Sequence, residues 1–566
     1  MIKYSFLFAA VLFVSASINV NYIYAQAPDC AWAKSAGGND DDNAYSVTTD
    51  ASGNIIVVGY FSSPTITFGS TTLTNTSSSF DMFIVKYDPS GNVLWAKSAG
   101  GNDTDWASSI TTDASGNIIV VGVFSSPITF GSTTLTSPTT SFDMFIVKYD
   151  TDGNVLWAKS AGGNSLNLAT YVDVDASGNI LISGYFFSGT GTIIFGNTTL
   201  TGTSLSDDIF IVKYDANGNV LWAKSAGGGF SDEAYSVVID ANENIFITGD
   251  FNSPSIVFGN TILFNTDNTG NTSDVFIAKY DKNGNVLWAK SVGGGNGDGA
   301  NSVTADASGN IIVAGYFDSP TITFGAISCV NAINTGNISD IFIAKYDGSG
   351  NPIWAKSAGG SDWDAAYSVT ADASGNILIT GVYFSSSITL GSVTLTNAGN
   401  DDMFLVEYDT SGNVLWAKST GGAYEDYGSS VTTDINKNIV VAGVFSDFTI
   451  TFDSITLTNT HAGYRDVFIT KYDNGNITEV SDEKNEELFS IYPNPSRGIF
   501  NIQPSKLTET ANLKIYTALG DEIYSSLIND YRAPISIDLS QQPNGIYLII
   551  AKTEEGVMNK KIIIQK

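Results

Sequence analysis

Apolar residues along this chain follow two patterns that alternate. Runs such as IIVVGYF (55–61) and MFIVKY (82–87) are apolar on both faces, whereas AYSVTTD (44–50) and NVLWAKS (92–98) mix apolar and polar positions. Alternation predicts half-buried strands, and short two-faced runs bounded by turn residues predict strands covered on both sides. The segments between them are turns: DASGN (50–54) and DPSGN (88–92) set Asp ahead of a Gly-Asn pair that tolerates positive φ, which closes a hairpin. The expected unit is therefore two hairpins, four strands in the order AYSVTTD, IIVVGYF, DMFIVKYD, NVLWAKS. A Thr-rich hairpin, ITFGSTTLT (66–74), is inserted between the second and third strands.

This unit repeats. The string WAKS recurs with its tryptophan at Trp32, Trp95, Trp157, Trp222, Trp288, Trp354 and Trp416, so the period is far longer than that of a nine-residue calcium β-roll. The first fragment is a lone fourth strand (Cys30–Ser35), and the last unit ends on a third strand (Asp466–Asp473) with no WAKS after it. Joining the two fragments completes a final sheet and closes the array without an exposed edge, where an open solenoid would need polar caps. The fold expected is all-β, a seven-bladed β-propeller closed by its N-terminal strand. DASGNIIVVGYF and DMFIVKYDPSGNVLWAKSAGG resemble the bacterial β-propeller repeat called SBBP over residues 30 to 473. That resemblance implies the propeller and no single activity.

The ends differ from the repeats. Lys3, the apolar stretch Ser5 to Ile18 and Ala25 before Gln26 predict a signal peptide over 1–25, leaving a propeller over 26–477. No later run is long enough for a membrane helix, so no transmembrane segment is expected. Residues 478–488 read as an acidic linker, and 489–566 as a small Ig-like β-sandwich with FSIYPNP, LKIYTALGDEIY, NGIY and a terminal KKIIIQK. This last region resembles the type IX secretion sorting domain of the Bacteroidota, through Tyr492, Pro493, Asn494, Pro495, Gly498, Gly545, Tyr547, Lys560 and Lys561. The resemblance implies the type IX machinery as a partner. It also implies passage through the periplasm and a final place in the medium or on the outer-membrane surface.

Charge narrows the function. Lys and Arg number 26 against 57 acids, a net charge of −31, which repels nucleic acid and anionic lipid and leaves cations open. Two cysteines, Cys30 and Cys329, cannot form a disulfide framework. There is one histidine, His461, near Arg465, and no nucleophile elbow or phosphate loop, so enzyme signatures are thin.

Candidate chemistry concentrates in the loops that enter the first strands. Asp40 with Asp42, Asp103 with Asp105, and Asp362 with Asp364 offer oxygen ligands suited to Ca²⁺, although an Asp beside Gly also caps a turn. The same loops break the period with Trp106, Phe230, Trp363, Tyr424 and Tyr427. Aromatics beside amides and acids suit sugar rings, so the expected ligand is a glycan or a protein partner; packing between loops is the alternative. A non-enzymatic secreted or surface binding protein is the reading preferred. A polysaccharide-degrading hydrolase or lyase, and a structural adhesin or matrix component, stand as alternatives.

Overall fold

A computed structural model describes residues 27–473 and 489–566, apart from 76, 78, 126, 138–140, 188–190, 203–204, 334–337, 505–510, 518–521, 529–533 and 553–556. The expected signal peptide (1–25) and acidic linker (478–488) lie outside the described residues. Internal contacts divide the chain into two units, Met1–Asn476 and Ile477–Lys566.

In the first unit the aspartate that opens each turn does the closing. Asp50 Oδ1 accepts the N–H groups of Ser52 and Asn54 at 2.9 and 3.0 Å, its Oδ2 accepts the Asn54 amide at 2.8 Å, and Gly53 takes φ 76°. Second and third strands such as Ile55–Phe61 and Asp81–Tyr87 are buried along their whole length, as their two-faced apolar pattern requires. Up to Asp473 the described residues form seven four-stranded antiparallel sheets, six of them from four consecutive long strands, and seven two-stranded hairpins from the Thr-rich inserts.

Neighbouring sheets are stitched by recurring bonds. A serine on one first strand accepts from the next: Ile110 N–H to Ser46 Oγ at 3.4 Å, Val172 N–H to Ser109 Oγ at 3.2 Å, Val369 N–H to Ser302 Oγ at 3.1 Å. The third-strand lysines Lys86, Lys148, Lys345 and Lys471 are each buried against their own turn and the next one. Lys86 Nζ lies 2.9 Å from Asp50 and donates to the Thr151 carbonyl at 3.2 Å.

The same bonds join the last sheet to the first. Val47 N–H donates to Ser430 Oγ at 3.2 Å, and Lys471 Nζ to the Pro89 carbonyl at 3.2 Å. Val47 and Val57 share one apolar core with Val440 and Ile469. The last sheet is completed by the strand Asp29–Ala36, which pairs with Asp466–Asp473.

That junction explains two departures from the repeat. In this sheet the third and fourth strands are not joined by a turn, so the preceding sheet has no turn carbonyl to receive its lysine and tryptophan. Glu407 stands there in place of lysine and accepts from Trp416 Nε1 at 2.5 Å and the Asn376 amide at 2.9 Å. Asp453 replaces the glycine of the Thr-rich turn at φ 53°, and its carboxylate caps the incoming strand through Cys30 N–H at 2.7 Å. Cys30 and Cys329 are free thiols.

The second unit holds a three-stranded sheet (Phe489–Tyr492, Ile499–Pro504, Ile535–Asp538) and a four-stranded one (Glu522–Ile528, Ala511–Thr517, Gly545–Lys552, Val557–Ile564). Both contribute to one core, with Phe500 and Ile537 from the first sheet and Leu513, Ile549 and Ile562 from the second.

Candidate functional site

Every first strand carries a bulge at one register position, between Ala44 and Ser46 in the first sheet and between Ala234 and Ser236 in the fourth. A bulge leaves one residue unpaired and re-aims its side chain. The seven bulge residues, Tyr45, Ser108, Thr170, Tyr235, Asn301, Tyr367 and Ser429, all line one cavity of about 280 Å³. Trp106, Tyr171 and Tyr185 complete its aromatic wall. A hydroxyl of this wall, Ser429 Oγ, is buried without a hydrogen-bond partner.

The aromatics picked out from the loops separate into two groups. Trp106 lines the cavity and meets Phe142 edge-on at 5.1 Å. Trp363 and Tyr427 pack on the cavity residue Tyr367, at 6.3 and 5.8 Å between ring centres, and Tyr427 donates its hydroxyl to Asn43 Oδ1 at 3.1 Å. Phe230 and Tyr424 are exposed and not among the cavity residues.

The paired loop acids also divide. Asp40, Asp103 and Asp362 are exposed. Their partners are fully buried and engaged with the loop: Asp42 Oδ2 accepts from Ser63 Oγ at 2.9 Å, Asp364 Oδ2 from Ser385 Oγ at 2.7 Å, and Asp105 Oδ2 from Gly101 N–H at 2.8 Å. Burial pushes Asp42 and Asp364 up to about 7, against the serine bonds that pull them down, and Asp105 up to about 8. Among the described residues no group of three or more His, Cys, Asp or Glu side chains is arranged to hold a metal ion. His461 bonds to Thr460 at 3.0 Å, and Arg465 pairs with Glu425 at 2.6 Å.

Sequence reasoning missed the cavity tyrosines, because AYSVTTD reads as an ordinary repeat strand and nothing in it marks a bulge. It also missed three acids beside the cavity. Glu233 and Asp250 are cross-strand partners, directly opposite one another. Tyr235, a cavity residue, donates its hydroxyl to Glu233 Oε2 at 2.9 Å. Asp250 is only 7% exposed, and burial, then Glu233, pushes its carboxyl well above the usual range; burial also raises Glu233 and Asp207. A signal for them was present: at the position of Asp250 the other units carry Tyr60, Val123, Tyr185, Tyr316, Val382 and Val444.

In the second unit the motif residues converge. Asn494 ties the YPNP box to the final strand, donating to the Lys561 carbonyl at 2.8 Å and accepting Ile563 N–H at 2.9 Å. Gly498 takes φ 102°, where a Cβ would stand 2.7 Å from Ser540. Buried Tyr547 donates to the Pro543 carbonyl at 2.8 Å, while Tyr492 and Lys561 are exposed and Lys560 is half-buried.

Residues 490–565 match the family described as the secretion system C-terminal sorting domain. The chain is thus a repeat protein with a C-terminal sorting domain, and the tail implies export to the cell surface or the extracellular space. It is similar to a WD repeat-containing protein, L264, of Acanthamoeba polyphaga mimivirus, 29% identical over 510 residues, covering 74% of this chain and 36% of that protein. It is also similar to the regulatory protein FlaEY of Caulobacter vibrioides, 25% identical over 288 residues, covering 48% of this chain and 29% of that one. The chain therefore spans about a third of the length of these relatives. Among solved structures, PorZ, a surface component of the type IX secretion system of Porphyromonas gingivalis, aligns at 9% identity over 94% of this chain and all of that one, with a TM-score of 0.22. A Bacteroides thetaiotaomicron protein aligns at 10% identity over 79% of this chain and 99% of that one, with a TM-score of 0.27. Scores this low assign no shared fold.

Proposed function

We propose that residues 26–477 form a seven-bladed β-propeller closed by its N-terminal strand, followed by an Ig-like sorting module. In this reading a signal peptide and the type IX machinery carry the protein through the periplasm to the medium or the outer-membrane surface. There it acts as a non-enzymatic binding protein whose ligand is the end of a glycan. The carrying observation is the cavity at the seven bulges: a wall of tyrosines and Trp106, interrupted by Ser, Thr and Asn side chains. Aromatic faces suit the apolar face of a sugar ring, and the hydroxyls and amide suit its hydroxyl groups. About 280 Å³ is at the lower end for small-molecule sites, which favours one sugar unit or a chain terminus over a long polysaccharide lying in a groove.

The test is calorimetric titration of the protein with a panel of oligosaccharides, beside the variants Trp106→Ala and Tyr367→Ala. Saturable binding lost in both variants, with unchanged unfolding temperatures, supports the reading. Binding that survives both removes the cavity as the site, and no binding across the panel removes the glycan.

A further inference from the structure

Buried carboxylates ordinarily come with a cation or with enough donors to hold their charge. Beside the cavity one buried acid, Asp250, and two half-buried ones, Glu233 and Asp207, have neither in full. Glu233 and Asp250 face each other across adjacent strands, where like charges repel. Asp207, the third, raises the carboxyl of Glu233, and its Oδ1 is a buried atom without a hydrogen-bond partner. All three act on Tyr185, which lines the cavity, and Tyr235 joins the cavity wall to Glu233. No ion pair among the described residues involves any of the three.

The repeat shows elsewhere what such a frame can hold. Asp207 opens one third strand, one residue ahead of the recurring Asp208, and the residue one ahead of the recurring Asp466 in the last sheet is Arg465. There the guanidinium donates to Glu425 Oε2 through Nε and Nη2 at 3.0 and 2.6 Å and lies 5.9 Å from the centre of the Tyr427 ring. Carboxylate and tyrosine face thus receive the chain's own cation at one junction. At the other, acids and tyrosines are present, and no ion pair among the described residues brings them a cation.

A metal ion does not fit, because the three acids do not form a group able to hold one. A wider, softer cation does: carboxylates spaced around a phenol suit an ammonium group, which takes hydrogen bonds to oxygen on one side and the electron-rich ring on the other. Resting on the proposed cavity, we infer that the ligand group bound there carries a protonated amine, held by Glu233 and Asp250 against Tyr185 and Tyr235.

A free amine on a sugar and the ε-ammonium of a lysine share this chemistry, so the probes separate them. The full protein is titrated with glucosamine oligomers, with the same oligomers N-acetylated, and with a lysine-containing peptide, alongside Glu233→Gln and Asp250→Asn. Both amides keep the shape of a neutral carboxyl, and ligand-free unfolding temperature reports whether each variant folds. The inference expects the free-amine sugar to bind at least about tenfold more tightly than the acetylated one, with the preference falling to parity in both variants. Equal affinity for the two sugars, lost in Trp106→Ala, overturns the amine and leaves the glycan cavity standing. Peptide binding without sugar binding, sensitive to Glu233→Gln, supports the amine site and removes the glycan. Failure of all three probes overturns both.

Discussion

At the scale of single residues, the repeat carries two opposed sets of aspartates. The loop set is buried with a raised carboxyl: Asp42, Asp232, Asp298 and Asp364 are pushed up to about 7 and Asp105 to about 8, by burial above all. Asp426 rises to about 9, through burial and then Asp447. In the unfolded chain such groups ionise near 3.8, so between roughly pH 4 and 7 the folded state holds more protons and stability falls as pH rises. The turn set behaves oppositely. Against a burial that raises it, the Asn54 amide and Lys86 hold Asp50 below the usual range, and Asp113, Asp175, Asp306 and Asp434 are held likewise by Lys148, Lys213, Lys345 and Lys471 with their turn asparagines. Their contribution is present above pH 4 and lost as pH falls through the lowered values. The expected result is an unfolding temperature highest near pH 4 and several degrees lower at pH 8, read by scanning calorimetry, with the deficit at pH 8 smaller in Asp426→Asn. A profile rising from pH 5 to pH 8 would remove the raised carboxyls from the account.

Among the elements, the junction where the N-terminal strand enters is the place where the repeat had to change. Glu407 stands where five other units carry a buried lysine bonded to the turn of the next sheet. Glu407→Lys makes the sequence more regular and is expected to lower stability by about 1–3 kcal/mol, since Trp416 and Asn376 lose their acceptor and the new ammonium gains no turn carbonyl. Denaturant unfolding measures it, and an unchanged midpoint would mean that the junction does not need the acid. Strand positions and turns were legible in the sequence, because Asp-Gly-Asn turns and two-faced apolar runs are local signals. The C-terminal motif was legible for the same reason: YPNP and NGIY are contiguous. The cavity was not, because a bulge is a property of pairing between strands; Tyr235 reads like any strand tyrosine until the register break at Ala234 and Ser236 is seen. Asp250 was missed differently, since a single acid in the apolar run IFITGDF changes its period hardly at all.

For the whole molecule, the repeat region is held together by pairing between its two ends. Asp29–Ala36 meets Asp466–Asp473 in a register that runs from Asp29 opposite Asp473 to Ala36 opposite Val467, and Asp453 caps its start. Contacts so distant in sequence form late and slowly, and until they form, the strand Asp466–Asp473 presents an open edge with buried-type side chains. Removing residues 27–36 is therefore expected to leave that edge unpaired while the other sheets keep their own four strands. The truncated chain should assemble through it, giving oligomers by size-exclusion chromatography and a lowered unfolding temperature. A synthetic peptide of residues 27–36, added during refolding, should return the protein to its original elution volume by supplying the missing strand in trans. If the truncated chain stays monomeric and as stable as the full one, then closure contributes little and the bonds between neighbouring first strands, Val47 to Ser430 among them, are enough to hold the array.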